Sequence, residues 1–199
     1  MRRKVFDLLA SSVGMMLVLI LVVAGSLALW GYSFANSSVR SQLVQQQIVF
    51  PAKGSSELAS PKIAPYLDQY AGEQLTTGPQ AKAYADHFIA VHLSEMPYGG
   101  IYSQVSNASR ARPTDAALTA EVQTSFQGTT LRGLLLEAYA FSVFATLALW
   151  AAVASYVLAV VMAVLVALGL RHSRTVPDGA DLLHPAAAAA LPVPGPSTA

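Results

Sequence analysis

The 199-residue chain has no cysteine and few charged side chains, and both absences exclude classes of protein. Without cysteine there are no disulfide bonds, thiolate metal sites, iron–sulfur clusters or cysteine nucleophiles. Only 12% of the residues are charged, whereas soluble globular domains are about a quarter charged. Twelve Lys and Arg against eleven Asp and Glu give a net charge of +1, too balanced for a chain that binds nucleic acid. An ordinary soluble enzyme and a nucleic-acid partner are therefore excluded.

Charge is missing entirely from two blocks, residues 8–39 and 138–170. They contain 32 and 33 residues, and about 20 apolar residues in a helix cross a bilayer core. We therefore predict an all-α membrane protein, in which a two-helix transmembrane hairpin holds an extracytoplasmic helical domain. Its predicted location is the cell membrane, and its first partner is the lipid bilayer.

Positive side chains at the ends of the two blocks predict the orientation. Arg2, Arg3 and Lys4 precede the first block, and Arg171 and Arg174 follow the second, which favours a cytoplasmic position for both termini. The tail is rich in proline and alanine and has too few large apolar residues to fold. The predicted divisions are a cytoplasmic N-terminus (1–7), transmembrane helix 1 (8–35), the extracytoplasmic domain (36–137), helix 2, which spans the membrane from about residue 150 (138–170), and a disordered cytoplasmic tail (171–199).

Aromatic residues mark the expected outer membrane interface. Trp30, Tyr32 and Trp150 lie about 20 residues from the charged ends of their blocks, at the depth that amphipathic rings prefer. The alternative for the N-terminus is a cleaved signal peptide, with Ser26-Leu27-Ala28 as the small-residue cleavage site. The apolar run is longer than the usual 7–15 residues of such a peptide, which favours a retained helix.

Small residues recur every four positions along the second block, at Ala151, Ser155, Ala159, Ala163 and Ala167. In lipid, small side chains let two helices approach closely. We predict that this row packs against a helix, with Ala24 and Ala28 of the first block as its counterpart. Lateral association with another membrane protein, or self-association, is the predicted use of the spans. The alternative is that the row only reflects an alanine-rich composition.

Proline and glycine divide the middle segment into helices, and no period-2 alternation indicates a sheet. The predicted helices cover residues 61–71, 79–94, 101–108 and 113–128, the last ended by Gly128 with Leu118, Val122 and Phe126 inward. Lys82 and Asp86 are spaced to form a surface ion pair. Both long helices are expected to continue above the membrane and to face each other through Phe34 on one and Phe141 and Phe144 on the other.

Two histidines are the only candidates for a metal site. His87 and His92 are five residues apart, which turns their side chains about 140° apart on a helix, so they cannot share a metal on one face. His92 and Glu95 are three residues apart but have no evident third ligand. We therefore predict no catalytic, cofactor-binding or metal-binding residue, and a protein that is not an enzyme.

Three segments carry a resemblance to known sequences: residues 75–93, beginning LTTGPQAKAYADH, residues 45–54, QQQIVFPAKG, and residues 130–135, TLRGLL. The chain from residue 1 to about 170 resembles a family of uncharacterised actinobacterial two-span membrane proteins, and the resemblance implies that topology. Members sometimes carry the name aromatic ring-opening dioxygenase subunit. A non-haem iron oxygenase needs two histidines and a carboxylate around an open site, and this sequence offers no such cluster.

Taken together, these features predict a non-enzymatic integral membrane protein without a cofactor. It would display its helical domain outside the cytoplasm as an accessory or scaffolding component of a cell-envelope complex. The alternative is an extracytoplasmic ligand-binding or sensory module, which would need a partner to carry the signal inward because the tail is so short. A protein related to the ring-opening dioxygenases is the remote alternative.

Overall fold

The computed structural model describes residues 3–175, and the predicted tail beyond residue 175 lies outside them. Helices make up 84% of the described residues, which contain no strand and only one isolated backbone bridge, between Val49 and Gln74. The all-α class is therefore confirmed. The sequence places residues 171–175 in the tail, but in the structure they are the last turn of a helix.

Six α-helices follow one another within residues 3–175: α1 (Arg3–Gln45), α2 (Ala64–Leu67), α3 (Gly78–Tyr84), α4 (Ala90–Glu95), α5 (Tyr102–Ala111) and α6 (Ala116–Thr175). Short 3-10 turns cover Ser56–Leu58, Asp68–Tyr70 and Pro97–Gly100, and a π-helical turn, Ala85–Ile89, joins α3 to α4. Helices α1 and α6, of 43 and 60 residues, dominate the structure.

Helices α1 and α6 are both long and apolar enough to cross a membrane. In the most apolar window of each, only 17% of the residues are buried within the chain. Leu27 and Val160, for example, are each 64% exposed. The core helix of a globular protein would bury most such side chains, so these two helices do not have the burial of core helices.

The chain divides into two compact units. The first contains residues 3–28 and 150–175, which are segments of α1 and α6, and its close contacts lie at glycines. A Cβ atom at Gly14 would lie 2.5 Å from Val166 Cγ2, and one at Gly25 would lie 3.3 Å from Ser155 Cβ. Small residues therefore set how closely these two segments approach.

Buried positions in the first unit follow a seven-residue repeat. On α6 they are Ala152, Ala159, Val166 and Ser173, each seven residues after the last. On α1, Ser11, Gly14 and Gly25 are buried, with half-buried positions 18 and 21 between them, in alternating steps of three and four. A seven-residue step drifts only about 20° around a helix, so one face stays in contact along its length, as in a coiled coil.

The second unit, Leu29–Leu149, has an aliphatic and aromatic core. Both long helices contribute to it, α1 through Val39 and Leu43 and α6 through Leu135. The segment between them supplies the remaining buried side chains, at Phe50, Leu58, Ile63, Leu67, Leu75, Ala81, Ala85 and Ile89. The ends of both long helices within this unit therefore brace one common core.

Two of the predicted helices, those over residues 61–71 and 113–128, differ from the structure. Residues 61–71 do not form one helix, because α2 begins only at Ala64 and gives way to a 3-10 turn at Asp68. Gly128 does not end a helix, because α6 continues through it. A Cβ atom at Gly128 would lie 2.8 Å from Leu93 Cδ2, so this glycine serves a close approach and not a terminus.

The predicted inward face of the helix over residues 113–128 is partly wrong. Leu118 is buried as predicted, but Phe126 is 50% exposed. Ser125 is buried in its place, and its hydroxyl donates a 2.6 Å hydrogen bond to the Gly100 carbonyl. A polar residue could take this inward position because the structure provides an acceptor for it.

Candidate functional site

The residues predicted for the membrane interface are mostly exposed. Trp30 and Trp150 are 68% and 66% exposed, and Tyr32 is half-buried. Trp30 stacks on Phe34, with ring centroids 5.7 Å apart. Exposed indoles on apolar helices are compatible with an interfacial belt, which stays a prediction because the structure contains no membrane.

The row of small residues on α6 is only partly buried. Ala159 is buried and Ser155 is half-buried near Gly25, whereas Ala151, Ala163 and Ala167 are exposed. A four-residue step drifts about 40° around a helix, so five such positions cannot all face one neighbour. The buried residues of α6 in this unit follow the seven-residue repeat instead. Packing of the exposed alanines against another molecule stays a prediction.

The counterpart predicted on α1 also differs from the one observed. Ala24 is exposed and Ala28 is half-buried. Between these two alanines, Gly25 and Ser26 contact α6, the latter through a 3.0 Å hydrogen bond between the Ser26 and Tyr156 hydroxyls. The prediction from the row of small residues did not include the Ser26–Tyr156 pair, because tyrosine is not a small residue.

Both histidines take part in aromatic contacts. The His87 ring stacks on Tyr66, with centroids 3.5 Å apart and planes 4° apart. The His92 ring lies against Phe88, and its Nδ1 lies 2.7 Å from the Phe88 carbonyl oxygen. Across residues 3–175, no group of three His, Cys, Asp or Glu side chains could hold a metal ion. The two rings therefore act as packing groups in this structure.

The π-helical turn Ala85–Ile89 presents successive side chains to different neighbours. Asp86 bonds to Arg132 on α6, whereas His87 stacks on Tyr66 in α2. Such turns often mark functional sites, because the extra residue redirects side chains that a regular helix would place elsewhere. Here the redirected side chains tie three helices of the second unit together.

Asp86 joins two cations that are far apart in sequence. Its Oδ1 accepts a 3.0 Å hydrogen bond from Arg132, and its Oδ2 accepts one from Lys82. The hydrogen bonds from Lys82 and then Arg132 lower the pKa of Asp86, and the bond to Asp86 raises the pKa of Lys82. Sequence spacing predicted the pair with Lys82 but could not find Arg132, which lies 46 residues away.

The motif around Thr77 has a structural explanation. Thr77 and Gln80 form a capping box at the start of α3. The Gln80 side chain also accepts a 2.9 Å hydrogen bond from the Thr76 amide and donates one of 2.9 Å to Glu73. A Cβ atom at Gly78 would overlap Ser142, so a glycine is needed where α3 meets α6. The motif thus fixes a helix start against α6.

A cleft of about 680 Å³ lies between α1 and α6 within the second unit. It is lined by Phe34, Ala35, Ser38, Val39, Gln42, Leu43, Gln45, Gln46, Leu134, Glu137, Ala138 and Phe141. Of the aromatic residues expected to face each other above the membrane, Phe34 and Phe141 line this cleft and Phe144 does not. The two helices therefore face each other across an open cleft, and the rings of Phe34 and Phe141 are not in direct contact.

The polarity of the cleft changes along α1. Its side nearest Trp30 carries Phe34 and Ala35, and its far side carries Gln42, Gln45 and Gln46 around the buried Leu43. Gln42 and Gln45 donate to serine hydroxyls one turn back, at 3.3 and 3.2 Å, which leaves their side-chain carbonyls without a donor among residues 3–175. The glutamine run was the available sequence signal for this cleft, and sequence reasoning missed it.

The chain was compared with protein-family models, with curated proteins and with solved structures, and it matches none of them. The resemblance to the two-span family therefore stays a prediction. A functional assignment rests instead on the geometry of residues 3–175.

Proposed function

We propose that the protein is a non-enzymatic integral membrane protein, which displays the Leu29–Leu149 unit on the extracytoplasmic side as an accessory or scaffolding component of a cell-envelope complex. The observation that carries this proposal is the exposed apolar surface of α1 and α6. Large exposed apolar surfaces need either lipid or a protein partner to cover them.

A transmembrane hairpin in the cell membrane accounts for the contacts of the first unit. Gly14, early in α1, meets Val166, late in α6, and Gly25 meets Ser155. Two helices that cross a bilayer in opposite directions would make this pairing. Arg and Lys near both chain ends support cytoplasmic termini.

The proposal of a non-enzymatic role is supported by the contacts that the polar side chains make. His87 and His92 contact aromatic rings, and Asp86 is bound by two cations. Among residues 3–175, no three His, Asp or Glu side chains are grouped as a metal-dependent oxygenase would need. A dioxygenase-related activity therefore stays the remote alternative.

A lateral partner is proposed for the apolar residues that remain exposed outside the first unit. On α6 these are Phe141, Phe144 and Leu147, which are 52%, 66% and 59% exposed. On α1 they are Trp30 and Phe34. Aromatic residues are enriched at the centres of protein interfaces, which supports a partner protein or a second copy of this chain.

The proposed complex is tested by affinity purification from native membranes in a gentle detergent, followed by mass spectrometry. We expect a defined set of proteins to co-purify in fixed stoichiometry, and a Phe144→Ser, Leu147→Ser variant to lose them. Gln123→Ser, on an exposed part of α6, is the matched control. Recovery of the protein alone, with both variants unchanged, would overturn the accessory role.

The proposed topology is tested separately, since the chain has no native cysteine. Single-cysteine variants Ser94→Cys and Thr175→Cys place a thiol at exposed positions of the second and first units. A membrane-impermeant maleimide should label the first in intact cells, and the second only after permeabilisation. The reverse pattern would contradict the orientation, and release of the protein by alkaline carbonate would contradict membrane insertion.

A ligand-binding or sensory module is the second candidate, and the cleft between α1 and α6 is the observation that favours it. Its volume falls within the range of small-molecule sites, about 300–1,000 Å³. Saturable binding in the cleft by a protein that co-purifies with nothing would favour this candidate over the accessory role.

A further inference from the structure

We propose that the cleft between α1 and α6 binds an amphiphile with an alkyl chain and an uncharged, polyhydroxylated headgroup, such as a glycosyl lipid. The alkyl chain would lie between Phe34 and Phe141, and the hydroxyls would meet Gln42, Gln45 and Glu137. This inference rests on the proposed membrane position, because the apolar end of the cleft is the end nearer Trp30.

The length of the cleft suits a molecule with two different ends. Eleven residues separate Phe34 from Gln45, the last residue of α1, which corresponds to about 17 Å along a helix. Phe34 lies four residues, or about 6 Å, beyond Trp30. If Trp30 marks the membrane interface, the apolar end opens just above the lipid and the polar end opens to water.

The polar end offers acceptors for hydroxyl donors. The side-chain carbonyls of Gln42 and Gln45 receive no hydrogen bond from residues 3–175, and the exposed Glu137 carboxylate has no hydrogen-bond or ion-pair partner there. A carboxylate and neighbouring amides are the groups that bind vicinal hydroxyls, because the hydroxyls donate to them in charge-assisted bonds.

The charge of the cleft selects against anionic headgroups. None of its twelve lining residues is Lys or Arg, and Glu137 is its only ionisable group. A phosphate would meet a negative charge and no cation, so it would lose its hydration without replacement. The site therefore differs from a phospholipid or nucleotide site, which would present Arg, Lys or a helix N-terminus.

The test uses the full chain held in an amphipathic polymer, so that no free detergent competes. In a Trp150→Phe background Trp30 is the only indole, and it stacks on Phe34 at the apolar end. A bromodecyl glucoside titrated below its micelle concentration should quench Trp30 fluorescence saturably. A bromodecyl phosphate with the same chain should bind at least tenfold more weakly. A bromodecyl trimethylammonium salt should also bind more weakly than the glucoside, because it has no hydroxyl to donate to the glutamine carbonyls.

Matched variants locate the site. Gln42→Leu and Glu137→Leu should each weaken glucoside binding about fivefold to tenfold. In neither variant should the ammonium salt bind more tightly than the glucoside. Gln123→Leu, outside the cleft, should leave the binding of all three probes unchanged. Phe141→Ser should weaken all three probes, whereas Phe144→Ser, one turn away and outside the cleft, should not. Circular dichroism confirms that each variant remains folded.

Three outcomes would overturn the proposal. Unsaturable quenching that is equal for the three headgroups would show partition into the polymer and not binding. Tighter binding of the phosphate or of the ammonium salt would contradict the proposed headgroup. Equal effects of Phe141→Ser and Phe144→Ser would contradict the location. The alkaline carbonate extraction tests membrane insertion in a separate experiment, so failure of the proposed function can be distinguished from failure of this inference.

Discussion

The same two helices pack by different means in the two units of the chain. In the first unit, the buried positions are mostly glycine, alanine and serine, and they follow a seven-residue repeat. In the second unit, the core contains Phe50, Leu67 and Leu75, each at most 1% exposed. Lipid is as apolar as leucine, so helices in a membrane associate by close fit, whereas in water the burial of large apolar side chains supplies the stability. The contrast between the units therefore supports the proposal that the first unit lies in lipid and the second in water.

The largest expected effect tests the core of the second unit. Phe50 packs between Tyr70 and Tyr84, with centroids 5.2 and 5.5 Å away. Phe50→Ala should lower the free energy of unfolding by about 3–5 kcal/mol, because it removes buried apolar surface and leaves a cavity. Denaturant titration followed by near-UV circular dichroism measures this. Phe144→Ala, at a 66% exposed position, should cost less than about 1 kcal/mol.

The next effect tests whether close approach governs the first unit. Gly14→Leu would force a side chain into Val166, and overpacking of this kind costs about 1–3 kcal/mol. Thermal unfolding in detergent, followed by helical circular dichroism, measures the loss. Gly31→Leu is the control, because nothing lies within 4 Å of a Cβ atom there. Equal losses from both variants would show that the seven-residue repeat is not a packing face.

The ion pairs of Asp86 should make the second unit sensitive to acid. Because Lys82 and Arg132 lower its pKa below the ordinary value of 3.8, the ionised form favours the folded state. Its contribution is complete above the unfolded pKa and is lost as the pH falls through the lower, folded pKa. We expect Asp86→Asn to cost about 1 kcal/mol at neutral pH, since the group is partly exposed, and to remove this step from a pH series of melting temperatures. If the melting temperature of the variant still fell over the same acid pH range, the loss of stability would come from another group.

The smallest effect concerns the hydrogen bond between Ser26 and Tyr156 in the first unit. Hydrogen bonds between helices in a membrane contribute about 0.6 kcal/mol on average. A double-mutant cycle of Ser26→Ala and Tyr156→Phe, measured by thermal unfolding in detergent, should give a coupling of that size. Ser12→Ala is the control, because its hydroxyl bonds to Leu8 within the same helix. A coupling of zero would show that this hydrogen bond does not stabilise the first unit.

Features set by local spacing were predictable from the sequence. The two charge-free blocks gave both long helices, and Lys82 and Asp86 gave an ion pair that the structure contains. The helix predicted over residues 79–94 is present as α3, the π-helical turn and α4. Each of these depends on residues within a few turns of one another.

Features set by distant contacts were not predictable in the same way. Arg132 reaches Asp86 across 46 residues, and Gly128 lies within α6 at a close approach to Leu93. The small residues of α6 recur every four positions in the sequence, but the buried positions recur every seven. Which of the two spacings forms the packing face depends on contacts with α1, which the sequence of α6 does not contain. The cleft likewise exists only where α1 and α6 meet the same core.

The π-helical turn has a consequence for how the length of this segment can change. Each residue added to or removed from a helix turns everything beyond it by about 100°. The turn holds one residue more than an α-helix would, and beyond it Leu93 lies against both Gly100 and Gly128. Deleting a single residue between Gly78 and Glu95 would turn Leu93 away from both glycines. Homologous chains should therefore vary freely in the composition of this segment's exposed positions but not in its number of residues.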